Sequence, residues 1–346
     1  MKAVVVHGAG DLRVDDVPRP ALRAGEVLLA VEWGGICGSD LAYAAHGSSG
    51  TAILKHPLVL GHEVAGRVIE VGDGVDEALL GTAAAVHPPT VEPESVLPDR
   101  LAGRTNLHTR VRYLGSAALD PHTDGGFCEL KVVRRDQLLA LPDTVDTRRG
   151  ALAEPLAVAV HAVNRVAGVL PGGVAGREVL VNGAGPIGLL VILVARQQGA
   201  ARVTASDISD ASLARATACG ADEVINVATD ALPQEIEVVI EASGAAAALG
   251  GVLRATARGG VLVQVGNLSA NPVTAVLGDL VTREVTWVGS FRFADEMEQA
   301  IQLLADGLDV DAVISHEFGL GQALDAFAVA ADRASGASKV LLKLHD

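Results

Sequence analysis

The chain has 346 residues, of which 49% are hydrophobic and 20% charged, a balance that excludes disorder, collagen and small disulfide scaffolds and sets an expectation of about two domains at ~150 residues each. With 27 basic against 42 acidic residues the formal charge is −15, so the surface should repel nucleic acid and anionic membranes. Three scattered cysteines, Cys37, Cys128 and Cys219, form no disulfide framework. The opening residues Met1 to Gly8 lack the apolar core of a signal peptide, and no apolar run approaches the ~20 residues of a membrane span, so a soluble, cytoplasmic protein is expected.

In chain order, residues 1 to about 150 read as short β-runs (Lys2 to Val6, Glu26 to Val31, Glu63 to Val71, Phe127 to Val133) broken by Gly, Pro and Asp. From about Arg177 strands and helices alternate: Glu178 to Val181, Ile187 to Gln198, Val203 to Ser206, Ala211 to Cys219, Val238 to Glu241, Ala246 to Ala257 and Val261 to Val265. Such alternation predicts βαβ units and a doubly wound parallel sheet, whose covered strands can be continuously apolar. The closing run, Lys339 to Leu344, is predicted to be a strand that rejoins the N-terminal sheet. The fold class is therefore α/β, with a discontinuous β-rich domain over 1–150 and 288–346 and a dinucleotide-type domain over 151–287.

The strand Glu178 to Val181 leads into Gly183-Ala184-Gly185-Pro186-Ile187-Gly188, a G-x-G-x-x-G at the start of an apolar helix. Gly183 serves a tight turn, Gly185 close approach of a pyrophosphate, and Gly188 close packing of helix on strand, with the helix N-terminus facing the phosphates. Asp207 ends the next β-run about 20 residues on, where a carboxylate can bond both ribose hydroxyls or simply cap the following helix. No arginine immediately follows it to accept a 2′-phosphate, so NAD is expected over NADP.

Cys37, His62, Glu63 and Glu154 stand in three separate fragments, Gly34 to Asp40, Gly61 to Glu63 and Ala153 to Leu156. Thiolate, imidazole and carboxylate are all zinc ligands. Any one fragment alone reads as readily as a small buried cysteine or a turn.

In combination the chain resembles the zinc-dependent medium-chain dehydrogenases, in their sorbitol and L-idonate 5-dehydrogenase branch. The resemblance is carried by GGICGSDL (Gly34 to Leu41), VLGHE (Val59 to Glu63), YLGSA (Tyr113 to Ala117), PHTDGGF (Pro121 to Phe127), EPLAVAVH (Glu154 to His161), Gly183 to Gly188 and GSFRF (Gly289 to Phe293). It implies a GroES-like catalytic domain beside the Rossmann domain, and one catalytic zinc on Cys37, His62 and Glu63. Glu154 would be a further ligand or would hold the water on the zinc. Asp40 would orient His62 from behind. Ser39 would take the substrate proton, while zinc acidifies the hydroxyl and NAD accepts the hydride. Val265, Ser290 and Arg292 would join Gly183, Gly185, Pro186, Ile187, Gly188 and Asp207 in holding NAD. Ser39, Tyr43, Phe127, Glu154 and Arg292 would contact the substrate, a polyol, a sugar acid such as L-idonate, or a cyclitol.

Departures from the family are equally specific. Ala42 replaces a histidine that ends the proton relay, leaving that task to water or His46. The lobe from Pro88 to His108 has no cysteine, and the aligned positions carry Glu94, Leu97, Arg100 and His108, so no structural zinc is expected there. An ion pair between Glu94 and Arg100 could replace part of the staple. His87, His108 and His122 are irregularly spaced and read as structural or solvated, and Cys128 and Cys219 as small buried residues. Phe293 stands where sorbitol-type enzymes have tyrosine, which moves the match towards L-idonate; Arg292 suits hydroxyls or a carboxylate. A homodimer or homotetramer is expected, with Glu284 to Gly289 as a pairing edge. Two other readings are a zinc-independent quinone reductase and a retired enzyme kept for binding.

Overall fold

The computed structural model describes residues 1–269 and 271–345. The chain divides into two units: Met1–Glu154 with Met297–Gly307 and Ile314–Asp346, and Pro155–Glu296 with Leu308–Val313.

The first unit is built on Glu26–Gly35, whose Val27, Leu28, Leu29 and Val31 are fully buried. This strand pairs antiparallel with Glu63–Val71, with Leu130–Arg134 and with the closing strand Lys339–Lys343. The last pairing sets Leu341 opposite Gly35 and Lys343 opposite Trp33. The seven-stranded sheet is completed by Ala83–Val86, Leu138–Ala140 and Ile314–Gly319. Beside it lies a three-stranded sheet of Asp11–Asp16, Lys2–Gly8 and Leu58–Val59. Val4, Val6, Leu29, Val31, Leu60, Val64, Phe127 and Leu342 share one core.

The second unit is a six-stranded, all-parallel sheet in the order Glu223–Asn226, Arg202–Asp207, Glu178–Asn182, Ile236–Glu241, Thr256–Gln264, Thr286–Gly289. The chain starts at Glu178–Asn182, winds outward one way and then crosses to Ile236–Glu241 on the other side. The carboxyl ends of these two strands therefore flank a topological switch point, where open α/β sheets bind ligands.

Three expectations are corrected. The boundary at 287/288 cuts the edge strand Thr286–Gly289, which pairs through Gly289 with Gln264, so the second unit continues to Glu296. The helix expected over Ala246 to Ala257 ends at Ala255, because Thr256 already pairs with Ile236 in the sheet. In the cysteine-free lobe, Glu94 and Arg100 are both exposed, and the ion pairs among the described residues instead join Glu92 to Arg112 and to Arg110. Water solvates exposed charges so well that such a staple gains little from closing.

No helix among the described residues is long and apolar enough to cross a membrane.

Candidate active site

The strand Glu26–Gly35 delivers the chain through Ile36 to Cys37, which caps the helix Gly38–His46 with an extended backbone. Asp40, the third residue of that helix, is fully buried. Its Oδ2 accepts the Cys37 N–H at 2.9 Å and its Oδ1 the Gly61 N–H at 3.1 Å, tying the helix start to the loop that carries His62. The same Oδ1 lies 3.9 Å from His62 Nδ1, a charge contact too long for a hydrogen bond.

Glu63 opens the strand Glu63–Val71 directly across from Gly35. Gly35 is required for space: a Cβ there would lie 2.2 Å from Glu63 Oε2. Cys37, His62 and Glu63 converge so that one sulfur, one imidazole nitrogen and one carboxylate oxygen all lie within 4.8 Å of one another. This mixed soft and hard donor set fits a zinc-sized divalent ion with a coordination position to spare.

Electrostatics favour positive charge at this point. Burial opposes protonation of His62, yet Asp40 and Cys37 beside it hold its pKa up at about 10. Burial also pushes the Asp40 and Glu154 carboxyls up, against the pull of His62 on both. Glu154, in the first turn of Ala153–Ala167, is 5% exposed and lies outside the compact trio.

Two residues that sequence reasoning missed complete the site. Lys339, 2% exposed, donates to both Glu63 oxygens at 2.7 and 2.6 Å and to the Ile36 carbonyl at 3.1 Å. Burial disfavours its charge, but Glu63 and Cys37 outweigh that and raise its pKa. A lysine opening the run Lys339 to Lys343 looks solvated in sequence, and only the pairing with Glu26–Gly35 buries it. Tyr113 donates its hydroxyl to Glu154 Oε1 at 2.5 Å and sets its ring against the His62 imidazole, centroids 5.6 Å apart. Its one signal was its place at the head of YLGSA.

Ser39 is half-buried at the second position of the Gly38–His46 helix. His46 ends that helix, exposed, about 10 Å further along by the helical rise, too far to receive a proton from Ser39 directly. Tyr43 and Phe127 belong to the hydrophobic core. The Tyr43 hydroxyl accepts the Ala117 N–H at 3.0 Å, and Phe127, fully buried, fills the space left by Gly34 and Gly61 and meets Phe327 edge-on. In the second unit, Arg292 has a left-handed backbone (φ 52°) and lays its guanidinium over the Phe291 ring, while Phe293 is buried.

The second unit carries its own candidate site at the switch point. Gly183 turns with φ 97°, Gly185 caps the helix Pro186–Gln197 with Pro186 at its first position, and Gly188 packs so closely that a Cβ would lie 1.8 Å from the Gly183 carbonyl. A Cβ on Gly185 would meet nothing within 4 Å, leaving open space at a helix N-terminus, as a pyrophosphate needs. Asp207 accepts the Ala184 N–H at 2.7 Å and the Ser209 N–H at 2.9 Å. Next to the turn, fully buried Glu241 accepts from Asn182 Nδ2, Ser243 N, Gly244 N and Gln264 Nε2, a network joining three strand ends that sequence reasoning also missed. The Val265 N–H donates to the Glu241 carbonyl and the Ser290 N–H to that of Gln264, while Gln264 Oε1 and Ser290 Oγ are buried polar atoms without protein partners. Unsatisfied acceptors and hydroxyls at this edge fit a polar ligand.

A compact trio of metal-ligating side chains on a β-rich unit, together with a glycine turn at a helix N-terminus on a parallel sheet, is the arrangement of a metal- and dinucleotide-dependent oxidoreductase. The chain belongs to the zinc-binding medium-chain dehydrogenase family, in the branch of the sorbitol and L-idonate 5-dehydrogenases. Residues 23–143 match the alcohol dehydrogenase GroES-like domain and 186–306 the zinc-binding dehydrogenase domain. The sorbitol dehydrogenase of Bos taurus is 38% identical over 338 residues, covering 94% of this chain and 91% of the relative. That of Mus musculus is 38% identical over 341 residues, 95% and 92% of the two chains. The crystal structure of L-idonate 5-dehydrogenase from Escherichia coli superposes with a TM-score of 0.90 at 32% identity, over 99% of this chain and 97% of that one.

Proposed function

We propose that the protein oxidises a secondary hydroxyl of a polyol or sugar acid, in the manner of an L-idonate 5-dehydrogenase, with NAD as the hydride acceptor. The observation that carries this reading is the convergence of Cys37, His62 and Glu63 within 4.8 Å. Cys37, His62 and Glu63 would hold a divalent ion, which would supply Lewis-acid chemistry to a substrate hydroxyl, and the nicotinamide would serve as hydride acceptor. Asp40 fixes Cys37 and the His62 loop, Lys339 neutralises Glu63, and Ser39 takes up the hydroxyl proton. Since His46 stands too far away, water continues the relay. Glu154 lies outside the trio and acts beside the metal as a hydrogen-bond acceptor for a substrate hydroxyl.

The preference for NAD rests on Asp207. Its two oxygens are held by the Ala184 and Ser209 N–H groups, which fixes a negative charge beside the phosphate turn, and Ile208 and Ser209 follow it where an arginine would be needed for a 2′-phosphate. The sugar-acid reading is supported by Arg292 as a cation, by Phe293 in place of tyrosine, and by the likeness to L-idonate 5-dehydrogenase. A homodimer or homotetramer would pair through the sheet-edge strand Thr286–Gly289.

The test is kcat/KM of the zinc-loaded protein for L-idonate, sorbitol and an inositol-type cyclitol, each with NAD and NADP. L-Idonate with NAD should lead. A preference for the cyclitol would reassign the substrate, and activity that survives Cys37→Ser would overturn the metal reading.

A further inference from the structure

Tyr113 ends the short strand Val111–Tyr113, paired with Pro89, and is 5% exposed. A buried tyrosine must place its hydroxyl; were packing alone at stake, phenylalanine would fill the same volume without that requirement. Here the hydroxyl has been placed on a buried carboxylate, donating to Glu154 Oε1 at 2.5 Å, while the edge-on ring braces the imidazole of His62. One side chain thus touches two groups of the site.

Glu154 needs such a restraint. It is 5% exposed, and Lys339 attracts it while Glu63 repels it. A carboxylate on three rotatable bonds in that field would settle against a cation and spend its oxygens there. The phenol holds one oxygen in a fixed direction, so the other cannot swing freely.

We infer that Tyr113 is a positioning residue: its hydroxyl pins Glu154 Oε1 and so presents Oε2 beside the Cys37–His62–Glu63 trio as the acceptor for a substrate hydroxyl. This rests on the reading of the trio as a metal centre. Tyr113 exchanges no proton with the substrate; it acts through Glu154, by hydrogen-bond geometry, as outer partners of metal sites commonly do.

The experiment is a double-mutant cycle on the full chain, comparing wild type, Tyr113→Phe, Glu154→Gln and the double variant, with Cys37→Ser as a metal control. Each is analysed for metal content, for the visible absorption of the cobalt-substituted form, and for kcat and KM. Thermal melting identifies any variant that fails to fold, in which case Tyr113→Leu and the cobalt spectrum replace it. Tyr113→Phe should keep one metal per chain, lose about tenfold in kcat with the KM for NAD unchanged, and shift the cobalt band in the direction that Glu154→Gln shifts it. In the Glu154→Gln background the same substitution should change kcat less than twofold. Equal losses in both backgrounds, or an unmoved cobalt band, would overturn the inference while leaving the metal centre intact. A wild-type protein that takes up no metal, or a Cys37→Ser protein that takes up as much, would overturn the metal reading and this inference with it.

Discussion

Lys339 and Glu63 stand 276 residues apart in the chain and form a buried, two-pronged ion pair, Nζ lying 2.7 Å from Oε1 and 2.6 Å from Oε2. Removing one partner strands the other charge in the interior. Lys339→Met should therefore destabilise the protein by about 3–5 kcal/mol, read from denaturant unfolding. Lys339→Arg should recover part of that loss. A Lys339→Met protein as stable as wild type would mean that Glu63 finds another cation or takes up a proton.

Asp40 joins the Cys37 backbone to the His62 loop through two N–H groups. Asp40→Asn keeps the shape but loses the charge and one acceptor, so Cys37 and His62 are held less firmly. Metal affinity should fall about 10–100-fold, measured by competition with a chromogenic chelator. An affinity within twofold of wild type would show that Asp40 serves only the helix start.

Burial pushes the thiols of Cys128 and Cys219 up to about 11, whereas Cys37 is half-buried. A thiol is nucleophilic only as thiolate, and the thiolate fraction grows as pH rises towards the pKa. At pH 8 about one in a thousand of the two buried thiols is ionised. Alkylation of the native, metal-free protein at pH 8, followed by peptide mass spectrometry, should mark Cys37 alone, and added zinc should protect it. Labelling of Cys128 at a comparable rate would contradict its burial.

The glycines of the phosphate turn should separate folding from binding. Gly185→Ala adds a methyl group to empty space, so the melting temperature should hardly move while the Kd for NAD rises at least tenfold. Gly188→Ala drives a methyl group to within 1.8 Å of the Gly183 carbonyl and should unfold or distort the unit. Equal stability of the two variants, by calorimetry, would contradict the packing described.

The dinucleotide turn was legible because it is local: strand, three glycines and helix follow one another within about ten residues, and the acid ends the next strand. Cys37, His62 and Glu63 were legible as chemistry, although no fragment alone betrayed that they meet. What escaped notice was set by pairing across the chain. Lys339 is buried only because its strand lies against Glu26–Gly35, and Glu241 gathers donors from neighbouring strand ends. The packing of Phe127 is of the same kind: distant Gly34 and Gly61 leave the space that its ring fills.

The strand Lys339–Lys343 also orders events in time. Pro155–Glu296, the bulk of the parallel-sheet unit, leaves the ribosome before residue 339 has been translated, and domains tend to fold as they emerge. A nascent chain therefore passes through a stage in which the bulk of its nucleotide-type unit has emerged while Glu63 still lacks its lysine and Glu26–Gly35 one of its neighbours. The Lys339–Glu63 pair waits for residue 339, so a chain that stops short of that residue would hold its parallel-sheet unit beside a Glu63 without its lysine.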